Sequence, residues 1–404
     1  MHLFKIKKTF LFVVFLGLFF SQCTPSKKAS ESDTHNKALD FAIRMADSEM
    51  NHFPKASTVD FKPEGKWSYT AGLVSNAMVE LAKQTGEKKY NEYAKGYADE
   101  FINAEGEIRG YKRSDFNIDK LNSGKFLFDL YAQTGDERYK KAIFTLRDQL
   151  NDQPRVSEGG FWHKKRYTNQ MWLDGLYMGS PFYAEFGKVF DEPAAFDDVI
   201  NQFVTVHKHT FNPEVGLNYH GWDESKELRW ADTETGCSPN FWGRAMGWYA
   251  MALVDVLDYI PEDHPHRNQL IKILQEIAPG IQKYQDEKTG LWYQVLDCGD
   301  REGNYLESSA SSMFVYALAK ASRLNYIDEK YHAVAEKGYE GMLNNFIKEN
   351  KNGTISLTNV CAVAGLGGDP YRDGTYEYYI GEPIRDNDPK GVGPFILASL
   401  EMNK

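Results

Sequence analysis

Apolar positions recur at helical spacing over residues 70–84, 88–103, 121–133 and 137–150. Between the members of each pair lie two related segments, LAKQTGEKKY (81–90) and LYAQTGDERY (130–139), which agree at five of ten positions with an offset of 49 residues. The periodicity predicts a helix on either side, and T-G-E/D predicts the break between them, with glycine supplying the left-handed cap. Degenerate copies of the same two-helix unit span 180–203, 247–277 and 311–343. An opening helix at 36–53 and a closing one at 391–402 complete the series. Repeats of roughly 50–60 residues stack as an open solenoid or close into a barrel. About six hairpins, with Trp- and Tyr-rich loops and no polar capping repeat, predict closure: an all-α chain folded as an (α/α)6 barrel. The Gly-rich stretch at 354–384 is the one region expected to be non-helical, as an extended loop or short strands over the rim.

The N-terminus has a different pattern. Lys5, Lys7 and Lys8 precede the apolar run FLFVVFLGLFF (10–20), too short to span a bilayer comfortably. The run ends at Ser21-Gln22-Cys23, where a bacterial lipoprotein signal would be cut and Cys23 acylated. Ordinary cleavage nearby is the alternative. The expected organisation is a signal peptide at 1–22, a polar tether at 23–36 and one catalytic domain at 37–404. No low-complexity linker divides the last of these. The expected location is periplasmic, with a membrane contact only through the lipid.

Charge and cysteine content narrow the chemistry. The 404-residue chain carries a net charge of −10, and removing residues 1–22, with three lysines and no acids, moves it to −13. An acidic globule argues against broad nucleic-acid binding. Cys237, Cys298 and Cys361 are too scattered for a disulfide framework or a metal site. The pairs His207/His209 and His264/His266 form no HExxH motif, so neither a metal nor a cofactor is expected.

Chemically assertive residues fall at a similar phase of successive units: Trp67 and Tyr69 in KWSYTAGLV, Asp119 in NIDKLNSGKF, Asp174 in MWLDGLYMGSPF and Arg244 in FWGRAMGWYAMAL. If the units close into a ring, these residues converge on one end of it. Asp174, walled by Met171, Trp172, Tyr177 and Met178, is a carboxyl whose apolar surroundings should raise its pKa. Met171, Met178 and Met246 are expected to pack.

These segments, with YHGWD, YLESSASSMFVYALAKA and GDPYRDGTYEYYIGEPIRDNDPKGVGPFILA, resemble the unsaturated rhamnogalacturonyl hydrolases of glycoside hydrolase family 105 over residues 67–399. The resemblance implies removal of a Δ4,5-unsaturated uronic acid, galacturonyl here, from the non-reducing end of a lyase-generated oligosaccharide. It assigns the general acid/base to Asp174 and a second acidic role to Asp119, which could alternatively cap the following helix. It places Tyr69, Asn169, Trp172, His220, Trp242, Arg244 and Trp248 in the sugar pocket, Arg244 as a forked partner for the uronate. His163, Glu307 and Arg372 are rim candidates without a defined role. Alternatives are the same reaction on glucuronyl substrates such as ulvan or glycosaminoglycan fragments, a sugar epimerase using His163 and His220, and a non-catalytic glycan-binding lipoprotein.

Overall fold

The computed structural model describes residues 31–404, with side chains from residue 37 onward. The expected signal peptide, Cys23 and residues 24–30 of the expected tether lie outside the described residues. The helices are α1 (Glu31–His52), α2 (Tyr69–Thr85), α3 (Lys88–Phe101), α4 (Lys125–Thr134), α5 (Glu137–Asn151), α6 (Leu173–Val189) and α7 (Ala194–Thr210). They continue as α8 (Gly243–Val256), α9 (Arg267–Lys283), α10 (Ser308–Arg323), α11 (Lys330–Asn345), α12 (Tyr376–Gly381) and α13 (Pro389–Glu401). Helix α1 begins inside the stretch read as a tether.

Helices α2, α4, α6, α8, α10 and α13 form a closed inner ring, α13 packing against both α10 and α2. Helix α1 packs on α13, so the first helix of the chain is the outer partner of the last and completes the sixth hairpin. The architecture is the expected (α/α)6 barrel. The inner helices α8 and α10 are buried on nearly every side, with small, Ser, Met and aromatic side chains along almost their whole length. Outer helices such as α9 show one buried stripe.

The repeated T-G segments do the same work twice. Thr85 and Thr134 hydroxyls donate to Leu81 O and Leu130 O and accept from Glu87 N and Asp136 N. Gly86 and Gly135 adopt φ of 74° and 66°, the left-handed cap that favours glycine. Tyr90 and Tyr139, both fully buried, donate back to Asp47 of α1 and Asp99 of α3. Helix α1 therefore stands to α3 as α3 stands to α5.

Eight short strands lie in the loops as four antiparallel pairs: β1 (Gln170–Trp172) with β4 (Gly221–Asp223), β2 (Phe211–Asn212) with β3 (Leu217–Asn218), β5 (Ile347–Glu349) with β6 (Ile355–Leu357), and β7 (Val360–Cys361) with β8 (Ile384–Arg385). The stretch 354–384 is thus neither the one irregular region nor wholly non-helical. It contains α12, and long loops also run at 152–172 and 211–242. Because every inner helix starts at the same end of the ring, these loops and the helix N-termini share that end.

Candidate active site

Strand β1 ends where α6 begins, and its pairing with β4 sets Trp172 opposite Gly221. A Cβ on Gly221 would lie 2.9 Å from Trp172 Cδ1, so the glycine is what lets the indole seat. The pairing continues one step as Leu173 N donates to His220 O. This brings Asp174, in the first turn of α6, beside His220: Oδ2 and Nε2 are 3.1 Å apart.

A second histidine–carboxylate pair flanks the first. Asp119 Oδ1 lies 3.1 Å from His163 Nε2, and its other oxygen meets Lys164 Nζ. Asn117, not Asp119, supplies the cap of the 3-10 turn at 118–124, accepting from Asp119 N. Asp119 is therefore free of the alternative capping role. The His163 ring stacks on Trp172 with centroids 4.6 Å apart, and His220 meets the same indole edge-on at 5.5 Å. Trp172, 5 % exposed, is the shared backing of both histidines more than an open platform.

The electrostatics correct one expectation. Burial pushes the Asp174 carboxyl up, as its apolar walls imply, but His220 and then His163 outweigh it, and the net shift is down. The unfavourable cost of burial is likewise overcome at Asp119 by Lys164 and His163, which hold that carboxyl far below the usual range. Both acids are ionised in the free protein. His163 is shifted down, by burial first, with Asp119 and Asp174 opposing. Tyr379 of α12 bonds His220 Nδ1 at 2.7 Å. Burial drives the Tyr379 hydroxyl well above its ordinary pKa, so it stays a neutral hydroxyl that can donate to or accept from the ring, and the bond holds the orientation of the imidazole beside Asp174.

Arg244, in the first turn of α8, is buried. Its Nη1 donates to Cys361 O at 2.5 Å and Ser309 Oγ at 3.3 Å, while Nε and Nη2 have no acceptor among the described residues. Glu307 organises that cradle: it caps α10 through Ala310 N, accepts from Ser309 Oγ and receives Cys361 N. Tyr69, in the first turn of α2, lies close enough to Arg244 and Asp119 for both charges to act on its hydroxyl. Trp242 stands 4.8 Å from both the His220 ring centre and the Arg244 guanidinium. Trp248 lies one turn below Arg244 and stacks on Tyr177, one turn below Asp174, so this pair floors the site.

Not every expected residue joins this group. Asn169 adopts φ of 61° ahead of β1, and its carbonyl accepts from Glu224 N; no contact ties its side chain to the paired acids. Arg372 is a loop staple, donating to Gly367 O, Leu366 O and Tyr167 Oη. Lys164 and Tyr379 were not anticipated. Lys164 could have been suspected from its place beside His163, whereas Tyr379 is 159 residues from its partner and had no local signal. Among the described residues no group of three or more His, Cys, Asp or Glu is placed to hold a metal ion, and Cys237, Cys298 and Cys361 are free thiols.

The chain matches the model of Glycosyl Hydrolase Family 88 over residues 41–404. It is similar to a glycoside hydrolase from family 105 of C. acetobutylicum ATCC 824, at 47% identity and a TM-score of 0.86, covering 90% of this chain and 99% of that one. The unsaturated rhamnogalacturonyl hydrolase YesR of Bacillus subtilis (strain 168) is 26% identical over 284 residues, 68% of this chain and 77% of the relative. The unsaturated glucuronyl hydrolase of Bacillus sp. GL1 shares the fold, with a TM-score of 0.67 at 14% identity over 91% of this chain and 96% of that one.

Proposed function

The chain belongs to the unsaturated uronyl hydrolases gathered in glycoside hydrolase families 88 and 105, and from that premise we propose that it releases a Δ4,5-unsaturated galacturonyl residue from the non-reducing end of lyase-generated oligosaccharides. The enzyme is a glycosidase. The observation that carries the finer reading is the pair of histidine-bound carboxylates, Asp174–His220 and Asp119–His163, on either side of Trp172. The rhamnogalacturonyl activity in the name of the Bacillus subtilis relative supports galacturonyl as the sugar.

In this reading the free Nε and Nη2 of Arg244 take the uronate carboxylate, near the positive ends of α2, α6 and α8. The new negative charge and the loss of water raise the Asp174 carboxyl from its depressed resting value, so Asp174 takes up a proton as substrate binds. It gives that proton to C4, water adds at C5, and the Asp174 carboxylate takes the proton from the water. The C5 hemiketal then opens, and the hemiacetal left at C1 releases the next sugar. Asp119, held ionised by Lys164 and His163, serves as a hydroxyl acceptor, not as an acid. This scheme needs one acid/base, unlike the flanking carboxylate pair of ordinary glycosidases.

The experiment is a panel of lyase-generated oligosaccharides, galacturonyl and glucuronyl, followed by loss of the ultraviolet absorbance of the conjugated double bond. Fastest loss on the galacturonyl members, abolished in Asp174→Asn, is expected. Faster loss on glucuronyl members would reassign the sugar, and binding without any loss would make the chain a glycan-binding protein. The apolar run at 10–20 and Cys23 support a lipid-anchored, periplasmic enzyme acting on imported fragments.

A further inference from the structure

The terminal sugar occupies only the barrel mouth, and the rest of an oligosaccharide must run somewhere. At the same end, the loop between β4 and α8 and the loop before α12 enclose a cavity of about 650 Å³. Trp230 and Tyr371 line it, and both belong with Trp172 to one apolar cluster, which joins the cavity wall to the indole that backs His163 and His220. Cys237 and Ser238, also in its wall, pair with Trp222 and Gly221 of β4, the strand that follows His220.

Arg229 gives this cavity its character. Its guanidinium lies 4.3 Å over the Tyr371 ring. Among the described arginines it alone has neither a carboxylate within 4 Å nor a side-chain hydrogen bond. Most other exposed arginines of this acidic chain sit on acids, as Arg155 does on Asp198 and Arg301 on Glu377, and exposed Arg166 donates to the Tyr167 hydroxyl. Two carboxylates also line the cavity, but Asp232 and Asp373 each turn an oxygen into their own turns, accepting from Thr235 N and Thr375 N. Trp230 is 3 % exposed, and its Nε1, like the Tyr371 hydroxyl, is buried without a partner among the described residues. A ligand with an acidic group for Arg229, hydroxyls for the free oxygens and donors, and a ring face for Tyr371 answers all of these at once.

We propose that this cavity receives the sugars on the leaving side of the scissile bond, and that Arg229 pairs with an acidic group, a uronate or a sulfate ester, on a sugar beyond the first. The inference rests on the uronyl hydrolase reading above and adds to it a preference for longer, acidic substrates.

The test compares wild type with Arg229→Ala and Tyr371→Ala on four probes. These are an unsaturated uronyl disaccharide and three tetrasaccharides, carrying on the leaving side a uronate, a sulfate ester or neutral sugars only. The ratio of tetrasaccharide to disaccharide KM should rise about tenfold for one acidic tetrasaccharide in Arg229→Ala, the loss of one charge-assisted contact. The neutral tetrasaccharide should respond to Tyr371→Ala only. Whichever acidic probe responds identifies the group, and Arg229→Lys should restore part of the effect. An unchanged ratio, or a KM that rises equally on the disaccharide, overturns the inference while leaving the activity intact. A wild type inactive on every probe would overturn the uronyl hydrolase reading and this inference with it.

Discussion

Asp174 Oδ2 and His220 Nε2 stand 3.1 Å apart, yet they are not aligned as a hydrogen bond, and neither atom has another partner among the described residues. The nearness of His220, with His163 behind it, holds the carboxyl down against the cost of burial, and both atoms remain able to bond a substrate. Buried polar groups left incomplete in this way mark places where a ligand finishes the network.

Tyr379 fixes the orientation of that histidine. Tyr379→Phe removes the partner of Nδ1 and frees the ring to turn, so kcat should fall about tenfold, the worth of one buried hydrogen bond. The melting temperature should move little, because the ring still packs against Trp242. Unchanged kcat and pH profile would show that Tyr379 does not set the state of His220.

Arg244→Lys keeps the charge and loses the fork. KM should rise by a factor corresponding to roughly 1–3 kcal/mol of binding. Loss of the Cys361 and Ser309 contacts should also loosen the loop carrying β7. Wild-type kinetics would reassign Arg244 to a purely structural role.

Far from the chemistry, Glu49 on α1 is 1 % exposed, and burial, with Asp388 adding to it, pushes its carboxyl from 4.5 to about 8. Between those values the folded state holds a proton that the unfolded state has released, so stability falls as pH rises through this window. Glu49→Gln cannot ionise. Relative to wild type it should gain on the order of 2–4 kcal/mol between pH 5 and pH 8, read from denaturant unfolding at each pH. Parallel stability curves would contradict the raised carboxyl.

Cys23→Ser should move the protein from the membrane to the soluble fraction and abolish labelling by a fatty-acid probe. Membrane association unchanged in the variant, with no lipid label in the wild type, would remove the anchor.

The barrel was largely legible because its information is local. The 3.6-residue period of the hairpins and the duplicated T-G break are visible in sequence, and Gly86 and Gly135 cap their helices as the spacing requires. The convergence of Asp119, Asp174 and Arg244 followed from their phase on successive units. What escaped depends on long-range pairing between elements too short to carry a pattern. Strands β1 and β4 are three residues each, and nothing in their sequences announces that Trp172 meets Gly221. The sign of the Asp174 shift failed for the same reason, since its sequence neighbours show the apolar wall but not His220. Tyr379 reaches the site from a six-residue helix in a stretch read as irregular.

The central claim is that Asp174 protonates C4 of an unsaturated uronate and does not promote attack at the anomeric carbon. Hydrolysis of an unsaturated galacturonyl oligosaccharide in heavy water, with the released keto sugar examined by NMR, tests it directly. The account predicts one deuterium at C4, introduced on one face, and no such turnover in Asp174→Asn. A product unlabelled at C4, or an Asp174→Asn enzyme with near-normal kcat, would contradict it and return the chemistry to a two-carboxylate scheme using Asp119.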